Sequence, residues 1–161
     1  MTPPAARIVL VRPRNPNNIG AAARAMANFG LDDLAVVDPY EPVWRETIAA
    51  VGAEEVMRRA RRLSLEEALS GCALALGTTT ARRRRIERPI VPLPELSRFL
   101  SGRDIAGERR VAVLFGQEKT GLSKETLLRC EAWLNIPTRP ACPSLNLGQA
   151  VALVAYELSR P

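Results

Sequence analysis

Histidine is absent from this 161-residue sequence, which removes the commonest general base and the usual metal ligand. Cysteine occurs only at positions 72, 130 and 142, without a C-x-x-C pair, so neither a disulfide framework nor a zinc site is indicated. No apolar run approaches the roughly 18 residues that a membrane-spanning helix needs. A signal peptide is not indicated either, because a charge returns at Arg12. We therefore expect a cytoplasmic protein that binds no metal and keeps its cysteines as small buried side chains.

The charge is unbalanced towards arginine. The net charge is +6, and Lys119 and Lys124 are the only lysines among 23 basic residues. The arginines cluster at 12 and 14, at 58–62, and at 82–85 with Arg88 following. Such a distribution favours a polyanionic partner, and RNA is the first candidate.

Short apolar runs alternate with helical patterns along the whole chain. The sequence predicts strands at 7–11, 33–38, 72–79, 110–115 and 132–137. It predicts helices at 18–29, 44–62 with an interruption near Gly52, from Ser64, over "PELSRFL", and at 123–130 and 145–159. Residues 80–92 read as a basic, proline-bounded loop. This order predicts a single α/β domain over residues 1–161, with a mostly parallel sheet flanked by helices.

Ligands on such sheets bind beyond the carboxyl ends of the strands, so the segments after the strands deserve inspection. The segment "GQEKTGLS" after Phe115 resembles a phosphate loop, but the P-loop pattern requires glycine where Glu118 and Val113 stand. A nucleotide hydrolase is therefore disfavoured. What remains is a sharp turn with Gly116 and Gly121, where Gly116 would let a ligand approach the backbone. A plain connecting turn is the alternative.

The first and last helices carry unusual faces. In "NNIGAAARAM", Arg24 points away from the apolar stripe of the helix, and Gly20 and Ala21 beside it are small. Arg24 is either an ordinary solvated charge or a residue that a ligand or second chain approaches. The last helix, for which Ser144 is an apt N-cap, is apolar nearly all round. Such a helix should be covered by the sheet on one side and by a partner subunit on the other.

Three segments taken in order carry a resemblance. "NNIGAAARAM", "LFGQEKTGLS" and "IPTRPACPSLNLGQAV" each lie at a strand end, and together they resemble the three motifs of the SPOUT (trefoil-knotted) RNA methyltransferases. Among these, the chain is most similar to the TrmH-related 2'-O-ribose methyltransferases of the TrmJ type, which act on the tRNA anticodon loop. The resemblance implies a C-terminal trefoil knot, S-adenosylmethionine as cofactor, RNA as substrate, and a homodimer formed through the C-terminal helix region.

The resemblance also implies the site residues. Expected in catalysis are Asn18, Arg24, Glu118 and Ser144. Expected around the cofactor are Thr78, Thr79, Thr80, Leu114, Gly116, Gly121, Ile136, Pro143, Ser144, Leu145 and Asn146. Expected to bind RNA are Arg12, Arg14, Arg82, Arg83, Arg84 and Arg85. A solvated charge run is the alternative for residues 82–85.

Arginine stays protonated in proteins, so Arg24 is expected to act as a fixed cation that binds phosphate and stabilises a developing alkoxide. Glu118 is expected to orient Arg24, and Asn18 and Ser144 to position Arg24 or the ribose. Two alternatives stay open: methylation of rRNA instead of tRNA, and a non-catalytic RNA-binding module of the same fold that does not bind S-adenosylmethionine.

Overall fold

The computed structural model of the chain describes residues 4–82, 84–103, 105 and 110–160. Its centre is a seven-stranded sheet in the order β3-β2-β1-β6-β4-β7-β5, in which all neighbouring strands run parallel. The strands are β1 Ala6–Val11, β2 Asp33–Val37, β3 Arg61–Leu63, β4 Cys72–Thr78, β5 Ile90–Pro92, β6 Arg110–Phe115 and β7 Ala132–Asn135. The predicted α/β class with a parallel sheet is confirmed, and the knot stays a prediction.

Within the described residues, six α-helices cover both faces of the sheet. They are α1 Pro16–Asn28, α2 Glu54–Arg59, α3 Leu65–Leu69, α4 Leu96–Ser101, α5 Lys124–Leu128 and α6 Leu147–Ser159. Side chains of α1, α2, α4 and α6 share one buried apolar cluster. Those of α3 and α5 belong to a second cluster on the opposite face. Because the central strands are buried on both faces, they read in sequence as continuous apolar runs rather than as alternating ones.

Side-chain caps fix the starts of two helices. Asn15 caps α1 by accepting the backbone N–H of Asn17, with Pro16 in the first turn. Ser64 and Glu67 form a capping box at the start of α3. These caps fix the residues at which α1 begins after β1 and α3 begins after β3.

The segment 44–62 differs from the single interrupted helix that we expected. It contains a 3-10 turn at Ile48–Ala50, the short helix α2, and the edge strand β3. Gly52 has φ +85°, a left-handed conformation that ends the first turn. Strand β5 was also missed, because residues 90–92 were assigned to the basic loop. Both missed strands have three residues and lie at the two edges of the sheet.

A buried ion cluster joins the amino-terminal ends of neighbouring strands in the sheet. The Arg7 side chain is 7% exposed and donates from Nε to Oδ2 of Asp33 at 3.0 Å. Its Nη1 also donates to the carbonyl of Ala68 at 2.9 Å. Arg61 and Arg110 contact the same aspartate from the outside. A buried arginine is tolerated here because its donors are used and its charge is paired.

The cysteines are free thiols, but they do not share one environment. Cys130 is buried, Cys72 is half-buried and Cys142 is exposed. The expectation that all three are buried is therefore wrong for Cys142, which lies on the proline-rich loop before α6. No helix in the described part of the chain has both the length and the apolar character needed to cross a membrane.

Candidate active site

A cavity of about 410 Å³ opens beyond the carboxyl ends of β4, β6 and β7. This is the end of a parallel sheet at which ligands bind, and the volume lies in the range of small-molecule sites. Of the residues predicted for cofactor binding or catalysis, the following line the cavity: Asn18, Thr78, Thr79, Thr80, Gly116, Glu118, Gly121, Ile136, Pro143, Ser144, Leu145 and Asn146. Leu114 is not among the lining residues, because it is fully buried within β6.

One wall of the cavity is the end of β4 and the threonines that follow it. The Thr78 hydroxyl donates to the backbone carbonyl of Leu114 at 2.8 Å. The Thr79 backbone N–H donates to the carbonyl of Leu134 at 3.1 Å, and Asn135 Nδ2 donates to the Thr79 carbonyl at 3.2 Å. These bonds tie the wall to both neighbouring strands, so its shape is set before any ligand arrives.

The opposite wall is the loop from Gly116 to Leu122, and its first glycine has a role that we did not expect. A Cβ at position 116 would lie 2.1 Å from the carbonyl carbon of Gly121 and 2.2 Å from the backbone nitrogen of Leu122. The space that a side chain at position 116 would occupy is therefore filled by the loop itself, so packing within the chain explains the glycine. Gly116 also lines the cavity, and its contact with the cofactor stays a prediction. Gly121 has φ +69°, which favours glycine on conformational grounds.

The third wall is the loop that enters α6. The helix begins at Leu147, and its N-cap is Asn146, whose side chain accepts the Gly148 N–H at 2.9 Å. Gln149 completes a capping box with Asn146. The expectation that Ser144 caps this helix is thus wrong, because the helix starts two residues later than the cap would require. The side chain of Ser144 is exposed at the cavity instead.

Glu118 joins this loop to the start of α1. Its carboxylate accepts Asn18 Nδ2 at 2.9 Å, and it also accepts the backbone N–H groups of Arg14 and Asn15 at 3.2–3.3 Å. Partial burial acts to raise the pKa of Glu118, but the hydrogen bonds from Asn18 and from backbone N–H groups outweigh it and leave the pKa below its ordinary value. Glu118 is therefore an ionised acceptor that holds Asn18 at the cavity.

Arg24 lies on the exposed side of α1 and is not among the residues that line the cavity of its own chain. It stands six residues after Asn18, about 9 Å along the helix axis. The hydrogen-bond partners found for Glu118 are Asn18, Arg14 and Asn15, so the expected contact between Glu118 and Arg24 is not formed within one chain.

The small residues near Arg24 are explained by packing within the chain. A Cβ at Gly20 would lie 2.7 Å from Thr47 Cγ2 and 2.9 Å from the backbone of Ala50. The Cβ of Ala21 would lie 2.9 Å from one added at Gly148 on α6. The idea that Gly20 and Ala21 admit a neighbouring chain or the ribose therefore needs correction, since the 3-10 turn and α6 occupy these positions.

The residues predicted to bind RNA fall into two groups. Arg82 and Arg84 line the cavity, where Arg84 also donates to the carbonyl of Leu122 at 2.8 Å. Arg85 is 88% exposed beside Glu87. Arg12 and Arg14 are exposed after β1. Arg83 lies outside the described residues.

Several lining residues were missed in the sequence. They are Phe115, Gln117, Lys119, Thr120, Leu134, Leu147 and Ala150. Most directly adjoin a predicted residue in the segments after β6 and β7, so strand-end position would have found them. Ala150 carries no such signal, because it faces the cavity only through the packing of α6.

Comparisons with known proteins agree with this geometry. Residues 5–156 match the SpoU rRNA Methylase family. The chain is 44% identical over 155 residues to the tRNA (cytidine/uridine/adenosine-2'-O-)-methyltransferase TrmJ of Pseudomonas aeruginosa, covering 94% of this chain and 59% of that protein. The chain thus spans about 60% of the length of the curated relatives it matches.

Two solved structures are similar over nearly the whole chain. TrmJ from Z. mobilis ZM4 shares 39% identity at a TM-score of 0.83, covering 96% of this chain and 68% of that one. A probable methyltransferase from Bordetella pertussis Tohama I shares 33% identity at a TM-score of 0.83, covering 97% and 95%. On the match over residues 5–156 and these likenesses, the chain belongs to the SpoU methylase family.

Proposed function

We propose that this protein transfers a methyl group from S-adenosylmethionine to a ribose 2'-hydroxyl in RNA, with tRNA as the substrate. The observation that carries the proposal is the cavity that the three motif loops form together at the carboxyl ends of β4, β6 and β7. Family membership supports the reaction, and the relatives named as tRNA 2'-O-methyltransferases support the substrate. The reaction requires no histidine, because positioning and fixed charge supply much of the rate.

The residues of the cavity fit S-adenosylmethionine. Its apolar lining from Leu134, Ile136, Leu145 and Ala150 suits an adenine ring, and the backbone groups of the 116–122 loop suit its polar edges. Arg82 offers a cation for the carboxylate of the methionine part. When bound, the cofactor supplies an electrophilic methyl group.

The chain's own residues would act on the hydroxyl. Asn18, held by Glu118, has its side-chain oxygen left to accept from the ribose. Ser144 lies exposed at the cavity and offers a second hydroxyl contact. Arg24 would hold a phosphate bidentately and stabilise the alkoxide as the proton leaves to phosphate or water.

The placement of Arg24 supports a site shared between two subunits. Arg24 lies outside the cavity of its own chain, so an Arg24 from a second copy would complete the site. Helix α6 carries exposed Leu153 and Tyr156, which are 42% and 49% exposed, on its outer side. Burying them in a homodimer would cover the apolar helix on both sides. We place the protein in the cytoplasm, where tRNA is processed.

RNA would approach across two basic segments near the cavity. Arg12 and Arg14 are exposed after β1, Arg82 and Arg84 line the cavity, and Arg85 is exposed beside Glu87. Phosphate contacts of this kind supply most non-specific affinity and make it sensitive to salt. Replacing Arg12 and Arg85, which lie outside the lining residues, by Ser should reduce the salt slope of RNA binding.

The test measures cofactor binding, RNA binding and methyl transfer in parallel. Ala150→Phe fills the cavity and should abolish S-adenosylmethionine binding in calorimetry, while Ala49→Phe, outside the lining residues, serves as the matched control. The wild type should leave 2'-O-methyl groups on an unmodified tRNA transcript, mapped by mass spectrometry. Methylation of rRNA fragments alone would reassign the substrate. RNA binding without cofactor binding would favour a non-catalytic RNA-binding module.

A further inference from the structure

Strands β1 and β2 leave the sheet in the same unusual way. They pair in register up to Val11 and Val37. The next residue of each strand, Arg12 and Asp38, is a non-glycine in the left-handed region, with φ 55° and 50°. The Arg12 backbone N–H donates to the Val37 carbonyl at 2.7 Å, which fixes the turn. A non-glycine residue in the left-handed region raises the free energy of the folded state. Such backbone conformations are kept where the surrounding structure imposes them, and they cluster at functional sites.

The paired turns bring Arg14 and Tyr40 together. The guanidinium carbon of Arg14 lies 5.0 Å from the centre of the Tyr40 ring. The Tyr40 backbone N–H donates to the carbonyl of Pro13 at 3.0 Å, so the tyrosine is tied to the segment that carries the arginine. Tyr40 nevertheless stays 66% exposed. An aromatic ring is thus held at the surface with the Arg14 cation beside it.

This pair lies beside the cavity. The backbone N–H of Arg14 donates to the Glu118 carboxylate, and Glu118 lines the cavity and holds Asn18. Any movement of the Arg14 backbone would therefore disturb the groups that face the ribose. The Arg14–Tyr40 pair is thus linked to the cavity through Glu118.

We propose that Tyr40 is a stacking platform for an unpaired RNA base adjoining the nucleotide whose ribose enters the cavity, with Arg14 and Arg12 contacting the flanking phosphates. The inference rests on the proposed function and adds to it a substrate-binding residue, Tyr40. Proteins read unpaired RNA by stacking bases on aromatic and arginine planes, and every base has a face that can stack. A cation beside the ring adds to the attraction.

The experiment uses an unmodified tRNA transcript that carries the fluorescent base 2-aminopurine at one unpaired position at a time. Stacking on a ring quenches this fluorescence, so the readout needs neither cofactor nor methyl transfer. The variants are Tyr40→Leu, which removes the ring, and Tyr40→Phe, which keeps it. Val43→Ala is the matched control, because Val43 is 56% exposed in the same segment.

We expect quenching at one or two neighbouring positions in the wild type, in Tyr40→Phe and in Val43→Ala, and its loss in Tyr40→Leu. RNA affinity of Tyr40→Leu should fall about tenfold with unchanged affinity for S-adenosylmethionine. Equal quenching and affinity in Tyr40→Leu would overturn the inference while leaving the proposed function intact. A change of oligomeric state in Tyr40→Leu would also overturn it, since the surface would then be a contact between copies. If the wild type binds no RNA, both proposals fail.

Discussion

Asn18 and Glu118 are 100 residues apart in the chain, yet the side-chain amide of one donates to the carboxylate of the other at 2.9 Å. The bond joins the start of α1 to the loop after β6. With the two backbone N–H groups that Glu118 also accepts, it holds the first and second motifs as one unit. The position of Asn18 at the cavity therefore depends on a charge in another part of the chain.

The first prediction concerns this charge. Glu118→Gln keeps the size of the side chain but loses the carboxylate that accepts these hydrogen bonds, so we expect it to destabilise the fold. The expected loss is only roughly 1 kcal/mol at pH 7, because the side chain is largely exposed to solvent. Because the folded pKa lies below the ordinary 4.5, the stabilisation is complete above that pH and is lost as the pH falls through the folded pKa.

Urea unfolding at several pH values measures this difference, and exposed Glu41→Gln is the control. A gap between wild type and Glu118→Gln that stays constant down to pH 2 would contradict the assigned role of the carboxylate. A gap that closes on acidification, with no such trend for Glu41→Gln, would support it.

A second prediction follows from the contact between Gly116 and its own loop. Gly116→Ala places a Cβ 2.1 Å from the Gly121 carbonyl carbon, a backbone atom that is not free to move aside. We expect a loss of about 2 kcal/mol or more in unfolding free energy, together with weaker cofactor binding. Gly102→Ala is the control, because its Cβ would meet only ordinary contacts at 3.9 Å and its φ is −79°. Equal stability of the two variants would mean that the loop can relax.

The contact between Gly116 and its own loop shows how far the site could be predicted from the sequence. Gly116 was singled out because it follows a buried strand, and that position does lie at the cavity. The packing reason for the glycine was missed, because nothing local in the sequence reveals that residues 121 and 122 fold back over it. Arg24 presents the same difficulty: its exposure could be anticipated from the helical wheel, whereas nothing local in the sequence reveals that it lies outside the cavity of its own chain.

The fold shows a parallel contrast. Five central strands were predicted because burial on both faces makes them continuous apolar runs. The edge strands "RRL" and "IVP" have one neighbouring strand each and three residues, so they carry little burial signal. The start of α6 was misplaced because Ser144 and Asn146 are both good caps, and only the path of the preceding loop decides between them.

A third prediction concerns the buried ion cluster at the amino-terminal ends of the strands. Arg7→Met removes the most buried of the three arginines that contact Asp33, and it leaves the Ala68 carbonyl with only the weak donor of the Cys72 thiol at 3.8 Å. We expect a loss of about 3 kcal/mol, since breaking a buried pair leaves polar groups uncompensated. Arg61→Met should cost less than about 1 kcal/mol, because the side chain of Arg61 is 51% exposed. Similar losses in thermal and urea unfolding for both variants would contradict this ranking.

The cysteines provide a fourth prediction. Burial raises the pKa of Cys130 to about 12, and burial also raises the pKa of Cys72, so neither forms much thiolate at pH 8. Cys142 is exposed. Iodoacetamide should therefore alkylate Cys142 first, and Cys72 and Cys130 only after unfolding in urea. Peptide mass spectrometry locates the adducts; early modification of Cys130 in the folded protein would contradict its burial.

The last prediction tests the shared site. Arg24→Ala should keep the fold and cofactor affinity but lower kcat for methyl transfer by about 100-fold or more, as loss of a charge-stabilising donor does. Arg24→Lys should recover little, because lysine lacks the planar fork that binds phosphate bidentately. If subunits share sites, a mixture of Arg24→Ala with the cavity-filled Ala150→Phe forms heterodimers in which one cavity is open and faces an intact arginine. Activity should then return in part when the two inactive proteins are mixed under conditions of subunit exchange, monitored independently by fluorescence energy transfer. Demonstrated exchange without recovered activity would show that each Arg24 serves the cavity of its own chain.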